Sequence, residues 1–256
     1  MNSHEVQNND GREINGLSPF LTEHLVCPRD RSALTLVEDG LVCREGHTYP
    51  VFAGIPIMLV DDVDTTHDYI KKGVENQTVD ASDAEFEIDE FVQGEIPYTS
   101  GNLYFSVQHK LTRYPIPETR LGQGNGERLL DIGCNWGRWT IAAAQKGYRA
   151  VGIDPSLDAV LAARRVSRQL GVEASFVVGD ARFLPFADDS FDTVFCYSVL
   201  QHFSKENAKI SLDEVARVLK RDGNSLIQMP NKYGIRQYQQ HRRRGRCRRR
   251  SPGRRG

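Results

Sequence analysis

A chain of 256 residues with 39% hydrophobic and 26% charged residues has the composition of an ordinary globular protein, with room for one large core and a small accessory domain. No stretch approaches the roughly 18 consecutive apolar residues that a membrane span needs, and the polar start does not resemble a secretory signal. We therefore expect a cytoplasmic protein with no membrane partner.

The net charge of −1 conceals an uneven distribution. Residues 241–256 contain nine arginines and no acid, so the first 240 residues carry a net charge of −10. Such an acidic body disfavours a nucleic-acid partner, because contacts to phosphates require lysine and arginine. The five cysteines are odd in number, and in a cytosolic context they disfavour a disulfide framework.

Three regions precede the main domain. Residues 1–18 are polar and are expected to be disordered. Residues 19–60 are interpreted as a compact β-rich module, in which short apolar runs are separated by turn signals such as Ala53-Gly54. Residues 61–96 hold twelve acids and two lysines, a composition that predicts an acidic linker with at most short helical pieces.

In the main domain, residues 97–240, apolar runs of strand length alternate with helical stretches. The predicted strands are 128–133, 149–154, 174–179, 193–197 and 225–229, and the predicted helices are 140–146, 157–170 and 205–219. Alternation with nearly continuous apolar strands predicts an α/β fold with a parallel sheet covered on both faces, the doubly wound Rossmann-like arrangement.

The residues that can carry chemistry follow the ends of these strands. The first strand ends at Asp131 and leads into Gly133 and Gly137, the second ends at Asp154, and the third leads into Asp180. Ligands of such sheets bind beyond the carboxyl ends of the strands, where the strand order reverses. Glycines there let the backbone approach a ligand closely. An acid after the second strand can accept ribose hydroxyls, and one after the third can accept an adenine amino group.

A nicotinamide dinucleotide is the main competing ligand. Its G-x-G-x-x-G fingerprint, counted from Gly133, meets Asn135 and Arg138 in place of the second and third glycines. Asp131 would also repel a pyrophosphate, whereas it suits a ligand with positive charge, such as a sulfonium amino acid. The pattern therefore favours S-adenosylmethionine.

Four segments resemble, in order, the motifs of class I S-adenosylmethionine-dependent methyltransferases of the type 11 group. They read LLDIGCNWG, VGIDPS, GDARFLPFADDSFDTVFCYSVLQHF and EVARVLKRDGNSLIQMPN, and the resemblance covers residues 98–234. The chain departs from the family at Asn135, where glycine is usual. Asparagine tolerates left-handed backbone better than most residues do.

The resemblance implies roles for the matching positions: the methionine moiety at the first loop, the ribose at Asp154, and the adenine at Asp180 and Ala181. The full implied cofactor-binding set is Asp131, Gly133, Cys134, Asn135, Gly137, Asp154, Pro155, Asp180, Ala181 and Tyr197. The segment from Tyr197 to His202 would border the transferred methyl group. His202 is a candidate catalytic base, because imidazole titrates near neutral pH; the alternative is a histidine satisfied near the start of the following helix.

The N-terminal module carries two pairs of possible metal ligands, Cys27 with Asp30 and, after twelve residues, Cys43 with His47. Two such pairs are typical of a tetrahedral zinc ribbon. The segment resembles the zinc-ribbon domain of several methyltransferases, including bacterial ribosomal-RNA guanine methyltransferases, but has Asp30 where a second cysteine is usual. Zinc is therefore one interpretation, and a ribbon that has lost its metal and persists through apolar packing is the other.

Residues 241–256, HRRRGRCRRRSPGRRG, also allow two interpretations. The arginines could form an RNA-binding arm. Such a run is also typical of a GC-rich coding sequence read out of frame. We hypothesise that the authentic sequence ends near residue 240, so that the sheet lacks its C-terminal strands and has one exposed edge.

The activity expected from the sequence is methyl transfer from S-adenosylmethionine to a small molecule or metabolite. Two alternatives stay open. One is RNA methylation, prompted by the zinc-ribbon resemblance. The other is a catalytically inactive, cofactor-binding homologue, prompted by the missing C-terminal elements.

Overall fold

A computed structural model of the protein describes residues 17–38, 40–60, 87–100, 102–118 and 121–230. The predictions for residues 1–16, for most of the linker and for the arginine-rich tail lie outside these ranges. Within the described ranges, none of the helices is both long enough and apolar enough to cross a bilayer.

The N-terminal part begins with a short helix, α1 (Pro19–His24), whose N-cap is Ser18. It continues as a four-stranded antiparallel sheet in chain order, with strands β1 (Leu34–Val37), β2 (Gly40–Cys43), β3 (Thr48–Phe52) and β4 (Ile55–Pro56). Ala53 and Gly54, which join β3 to β4, both have positive φ, as a two-residue type I′ hairpin turn requires. The predicted β-rich character of this segment is confirmed.

The region expected to be a linker contains a packed helix, α2 (Glu90–Ser100), followed by a 3₁₀ helix (Asn102–Val107). Val92 and Ile96 of α2 are fully buried, in one apolar cluster with Trp136. The helix therefore crosses the expected boundary at residue 96. Its buried apolar residues face the core, whereas ten of the twelve acids of the expected linker precede it in the sequence.

The main sheet is parallel and has the strand order β7-β6-β5-β8-β9. Its strands and helices, in chain order, are β5 (Arg128–Ile132), α3 (Arg138–Gln145), β6 (Arg149–Asp154), α4 (Leu157–Gln169), β7 (Ser175–Val178), β8 (Phe191–Tyr197), a 3₁₀ turn (Leu200–His202), α5 (Lys205–Val218) and β9 (Leu219–Gln228). The order reverses between β5 and β8. The predicted doubly wound Rossmann-like sheet is confirmed.

Strand β9 begins six residues before the predicted start at 225. The pairing shifts between Phe191 and Thr193, so that Leu219 pairs with the first and Asn224 with the second. The residues between Leu219 and Asn224 are polar or glycine and read as a turn, which is why the apolar pattern did not indicate them.

The two faces of the sheet are covered by different parts of the chain. Helices α3 and α4 cover one face, whereas α5 and most of the N-terminal part cover the other. The residues around β4 instead pack in the apolar cluster of α4. Leu21 and Met58 lie in one apolar cluster with Leu130 and Val177 of the sheet. Met58 also donates its backbone N–H to Val178 of β7 at 2.7 Å, which continues the sheet past its edge strand. The N-terminal part and the main sheet therefore share one core.

Candidate functional site

The first loop of the site leaves β5 at Asp131, whose side chain is buried at 1% exposure. Its Oδ2 accepts a hydrogen bond from the Thr140 hydroxyl on α3 at 2.7 Å. Burial raises the pKa of the Asp131 carboxyl to about 7, although the Thr140 hydrogen bond and the charge of Arg138 act in the opposite direction. An acid in this state is complementary to a cationic group of a ligand.

The loop from Gly133 to Gly137 requires an unusual backbone. Gly133, Asn135 and Gly137 have φ values of 72°, 48° and 80°. A Cβ at Gly133 would lie 2.2 Å from Val199 Cγ2. Asn135 adopts the left-handed conformation and accepts the Trp136 N–H at 2.7 Å through its side chain, so the departure from the family's glycine leaves the loop intact.

Asp154 ends β6 and connects two loops. Its Oδ2 accepts the backbone N–H of Asn135 at 3.0 Å, and its Oδ1 accepts that of Ser156 at 2.9 Å. Pro155 lies beside it and is half-buried. Two backbone donors hold the carboxylate at the carboxyl edge of the sheet, next to the first loop.

Asp180 and Ala181 follow β7, and both are buried. The Asp180 carboxylate accepts hydrogen bonds from the backbone N–H of Arg182 at 2.8 Å and from its guanidinium, with a shortest contact of 2.6 Å. Sequence reasoning missed Arg182, because a cation two residues after an acid is ordinary on a surface. Both side chains are buried here, so the pair is a structural part of the loop.

An aromatic group lies on the other side of the first loop. Tyr197 ends β8, and its ring centroid is 5.0 Å from that of Trp139 on α3. The Arg138 guanidinium lies over both rings, at 5.5 and 5.6 Å, and donates to the Ser100 hydroxyl at 2.8 Å. Trp139 and Arg138 were not predicted as site residues; their position directly after Gly137 is the signal that could have indicated them.

His202 ends the 3₁₀ turn after β8 and is exposed. Its Nε2 lies 3.3 Å from Nε2 of Gln201. The structure thus places it on the β8 side of the site, close in sequence to Tyr197.

The cysteines of the main sheet are unsuited to nucleophilic chemistry. Cys134 and Cys196 are buried, and burial raises the pKa of both thiols, that of Cys196 to about 12. The backbone N–H of Cys134 donates to Ile153 at 3.1 Å. Cys134 therefore contributes packing and loop geometry.

The four residues predicted as metal ligands come together in the N-terminal part, with all their ligand atoms within 4.8 Å of one another. His47 Nδ1 lies 3.4 Å from Cys27 Sγ, 3.3 Å from Cys43 Sγ and 3.2 Å from Asp30 Oδ2. Cys43 Sγ lies 3.5 Å from Asp30 Oδ2.

Two tight turns present these ligands. One is closed by the Arg31 N–H donating to the Cys27 carbonyl at 2.8 Å, and the other by the Gly46 N–H donating to the Cys43 carbonyl at 3.0 Å. The Tyr49 hydroxyl lies 3.1 Å from Cys27 Sγ. The backbone thus holds the four ligand atoms on one side of the antiparallel sheet.

The comparisons with known proteins concern the main sheet. Residues 129–223 match the family model described as "Methyltransferase domain". An uncharacterized methyltransferase, YcgJ of Bacillus subtilis strain 168, is 39% identical over 101 residues, which are 39% of each chain. Methyltransferase GfsG of Streptomyces halstedii is 34% identical over 111 residues, 42% of this chain and 39% of that protein.

The crystal structure of Bacillus YcgJ aligns over 40% of this chain and 44% of its own, with 37% identity and a TM-score of 0.38. The chain thus spans about two fifths of the length of these curated relatives. The residues matched by the family model, 129–223, include Asp131, Asp154 and Asp180.

Proposed function

We propose that the protein transfers a methyl group from S-adenosylmethionine to a small-molecule acceptor, because residues 129–223 match the model of a methyltransferase domain. The proposal rests above all on one juxtaposition. Asp131 and Asp154 lie at the carboxyl ends of two adjacent parallel strands, and the positive-φ loop and Asp180 follow the first of these and a third adjacent strand at the same edge of the sheet. This is the edge at which doubly wound sheets bind ligands.

The residues present suit this cofactor. The buried Asp131 carboxyl accepts a hydrogen bond from the Thr140 hydroxyl, and the charge of Arg138 also acts on it. A ligand ammonium group would add a second cation that favours the ionised carboxylate. The loop at Gly133 lets the backbone come close to a methionine moiety. Asp154 lies beside the first loop, where its carboxylate would accept the ribose hydroxyls, and Asp180 with Ala181 would border the adenine.

When bound, S-adenosylmethionine supplies an electrophilic methyl group that an acceptor nucleophile displaces in line. The protein contributes orientation and the exclusion of water. Tyr197 and the turn to His202 would form the acceptor side. The exposed His202 imidazole could take the proton that the nucleophile releases.

The acidic body supports a small acceptor over RNA, because a phosphate backbone needs a cationic footprint. The experiment must distinguish methylation of a small molecule from RNA methylation and from cofactor binding without catalysis.

We also propose that Cys27, Asp30, Cys43 and His47 bind zinc. Normal zinc bond lengths at tetrahedral angles place sulfur about 3.5 Å from nitrogen and about 3.6 Å from oxygen, and nitrogen about 3.4 Å from oxygen. Four of the six separations between these atoms, those of His47 to the other three ligands and that of Cys43 to Asp30, are 3.2 to 3.5 Å and agree with that geometry; all six are within 4.8 Å. The zinc would fix the two turns and have no part in the methyl transfer.

Calorimetric titration with S-adenosylhomocysteine tests the cofactor site first, with Asp154→Ala as the site variant and the exposed Asp158→Asn on α4 as the matched control. We expect micromolar binding by the wild type and the control, and its loss in Asp154→Ala. Transfer of labelled methyl into a small-molecule extract, into RNA or into neither then decides among the three functions. No binding by the folded wild type would refute the proposal.

A further inference from the structure

The turn that carries the metal ligands Cys27 and Asp30 also contacts helix α5. Arg31 follows Asp30 directly and has a φ of 60°. Its Nη2 donates to Glu214 Oε1 at 3.1 Å. The Arg31 side chain is 61% exposed and that of Glu214 is 9% exposed, so a surface residue of the turn reaches a buried carboxylate.

The Glu214 carboxylate forms hydrogen bonds that fix the chain segment following the adenine side of the cofactor site. Glu214 Oε2 accepts the backbone N–H of Leu184 at 2.9 Å. Arg217, paired with Glu214 at 2.7 Å, donates to the Leu184 carbonyl at 2.8 Å and to the Phe186 carbonyl at 2.6 Å. Both backbone polar groups of Leu184, four residues after Asp180, therefore depend on the Glu214–Arg217 pair.

The same segment is held from its other side by the residues before Cys27. The Val26 N–H donates to the Pro185 carbonyl at 3.0 Å, and the Ala187 N–H donates to the His24 carbonyl at 2.9 Å. Cys27 itself lies in the apolar cluster that contains Ala181 and Leu184. The residues before Cys27 thus contact residues 184–187 directly, and Arg31 after it reaches the same segment through Glu214.

We infer that Arg31 and Glu214 are positioning residues that couple the metal site to the adenine side of the cofactor site. A metal ion on Cys27 and Asp30 restrains the turn and fixes Arg31 against Glu214, while a bound adenine restrains residues 180–187. Because the two ligands order the same contacts, each raises the affinity for the other. This inference rests on the proposed cofactor and zinc sites and adds a linkage between them.

The experiment measures S-adenosylhomocysteine affinity by calorimetry, on full-length protein loaded with one equivalent of zinc and on protein stripped by a chelator. Circular dichroism checks that both forms are folded. We expect the zinc-loaded form to bind S-adenosylhomocysteine at least about fivefold more tightly than the stripped form does. Zinc affinity, measured against a chromophoric chelator, should rise by the same factor when S-adenosylhomocysteine is saturating, because linkage is reciprocal.

Arg31→Ala removes the connection and leaves the proposed metal ligands and cofactor-binding residues unchanged. The zinc-loaded variant should bind S-adenosylhomocysteine about fivefold more weakly than the zinc-loaded wild type, and Arg31→Lys should restore part of the affinity. Arg44→Ala is the matched control, because Arg44 is exposed and follows the ligand Cys43 as Arg31 follows Asp30. This comparison needs no stripped protein.

Equal affinities in loaded and stripped wild type, or in Arg31→Ala and wild type, would overturn the inference and leave the cofactor proposal standing. Failure of the wild type to bind zinc would overturn the inference, because there would be no metal site to couple to the cofactor site. Failure of both forms to bind S-adenosylhomocysteine would overturn the proposed function itself, so the three failures are distinct.

Discussion

Asp131 should make cofactor affinity depend on pH in the neutral range. Burial raises the pKa of its carboxyl from an ordinary value of 3.8 to about 7. The charged and titratable groups that act on it are Arg138, Asp154 and the thiols of Cys134 and Cys196, and Arg138 is the cation among them. Below pH 7 the carboxyl is mostly neutral and offers a ligand ammonium group no charge.

The size of the effect follows from that pKa. If only the ionised form binds, the apparent dissociation constant is multiplied by one plus the ratio of neutral to ionised Asp131. With a pKa of about 7, S-adenosylhomocysteine should bind about tenfold more weakly at pH 6 than at pH 8, since each pH unit below the pKa is a factor of ten.

The raised pKa of Asp131 also makes the free energy of unfolding of the unliganded protein depend on pH. The folded-state pKa lies above the unfolded one, so the folded protein binds more protons between about pH 4 and pH 7. Its free energy of unfolding should therefore fall as the pH rises through this window, and Asp131→Asn should lack this component.

Calorimetry at pH 6, 7 and 8 and constant ionic strength measures the effect on affinity. Asp131→Asn keeps an acceptor for Thr140 and should show weaker binding with little dependence on pH. The exposed Asp158→Asn should retain the wild-type slope. A wild-type affinity that is flat between pH 6 and pH 8, or a slope that persists in Asp131→Asn, would refute the reasoning.

Three further predictions concern stability and metal content. Gly137→Ala should lose more stability in thermal melts than Gly171→Ala. Both positions have positive φ, which costs an alanine about 1–2 kcal/mol, but of the two only Gly137 would place the new Cβ against a neighbour, Ala163 Cβ at 2.9 Å. Equal losses would contradict this. Arg182→Met should cost about 3 kcal/mol in urea unfolding, because it leaves the buried Asp180 carboxylate without its cation; an unchanged midpoint would count against the pair. Cys43→Ser should reduce zinc content from about one equivalent to well below it by atomic absorption, since a thiolate is replaced by a weak ligand, and an unchanged zinc content would argue against the site.

The local features of the main domain were predictable from the sequence, because they depend on short-range patterns. Strand β6 was predicted at the bounds that the structure has, and Asn135 was expected to accept a left-handed backbone. Helix α2 and the start of β9 were not predicted. The first follows an acidic run and has only a few buried apolar residues, and the second owes its pairing to a register shift that only its neighbour β8 imposes.

The sequence by itself determined the α/β class, the acids that follow three strands, and the two pairs of metal-ligand residues. Each of these lies within a few residues of a strand or turn signal. The tertiary structure alone decided that the N-terminal part completes the second face of the main sheet, and that Arg31 contacts Glu214, 183 positions away in the chain. Such contacts depend on how separate elements pack, and neither periodicity nor motif spacing in one sequence carries that information.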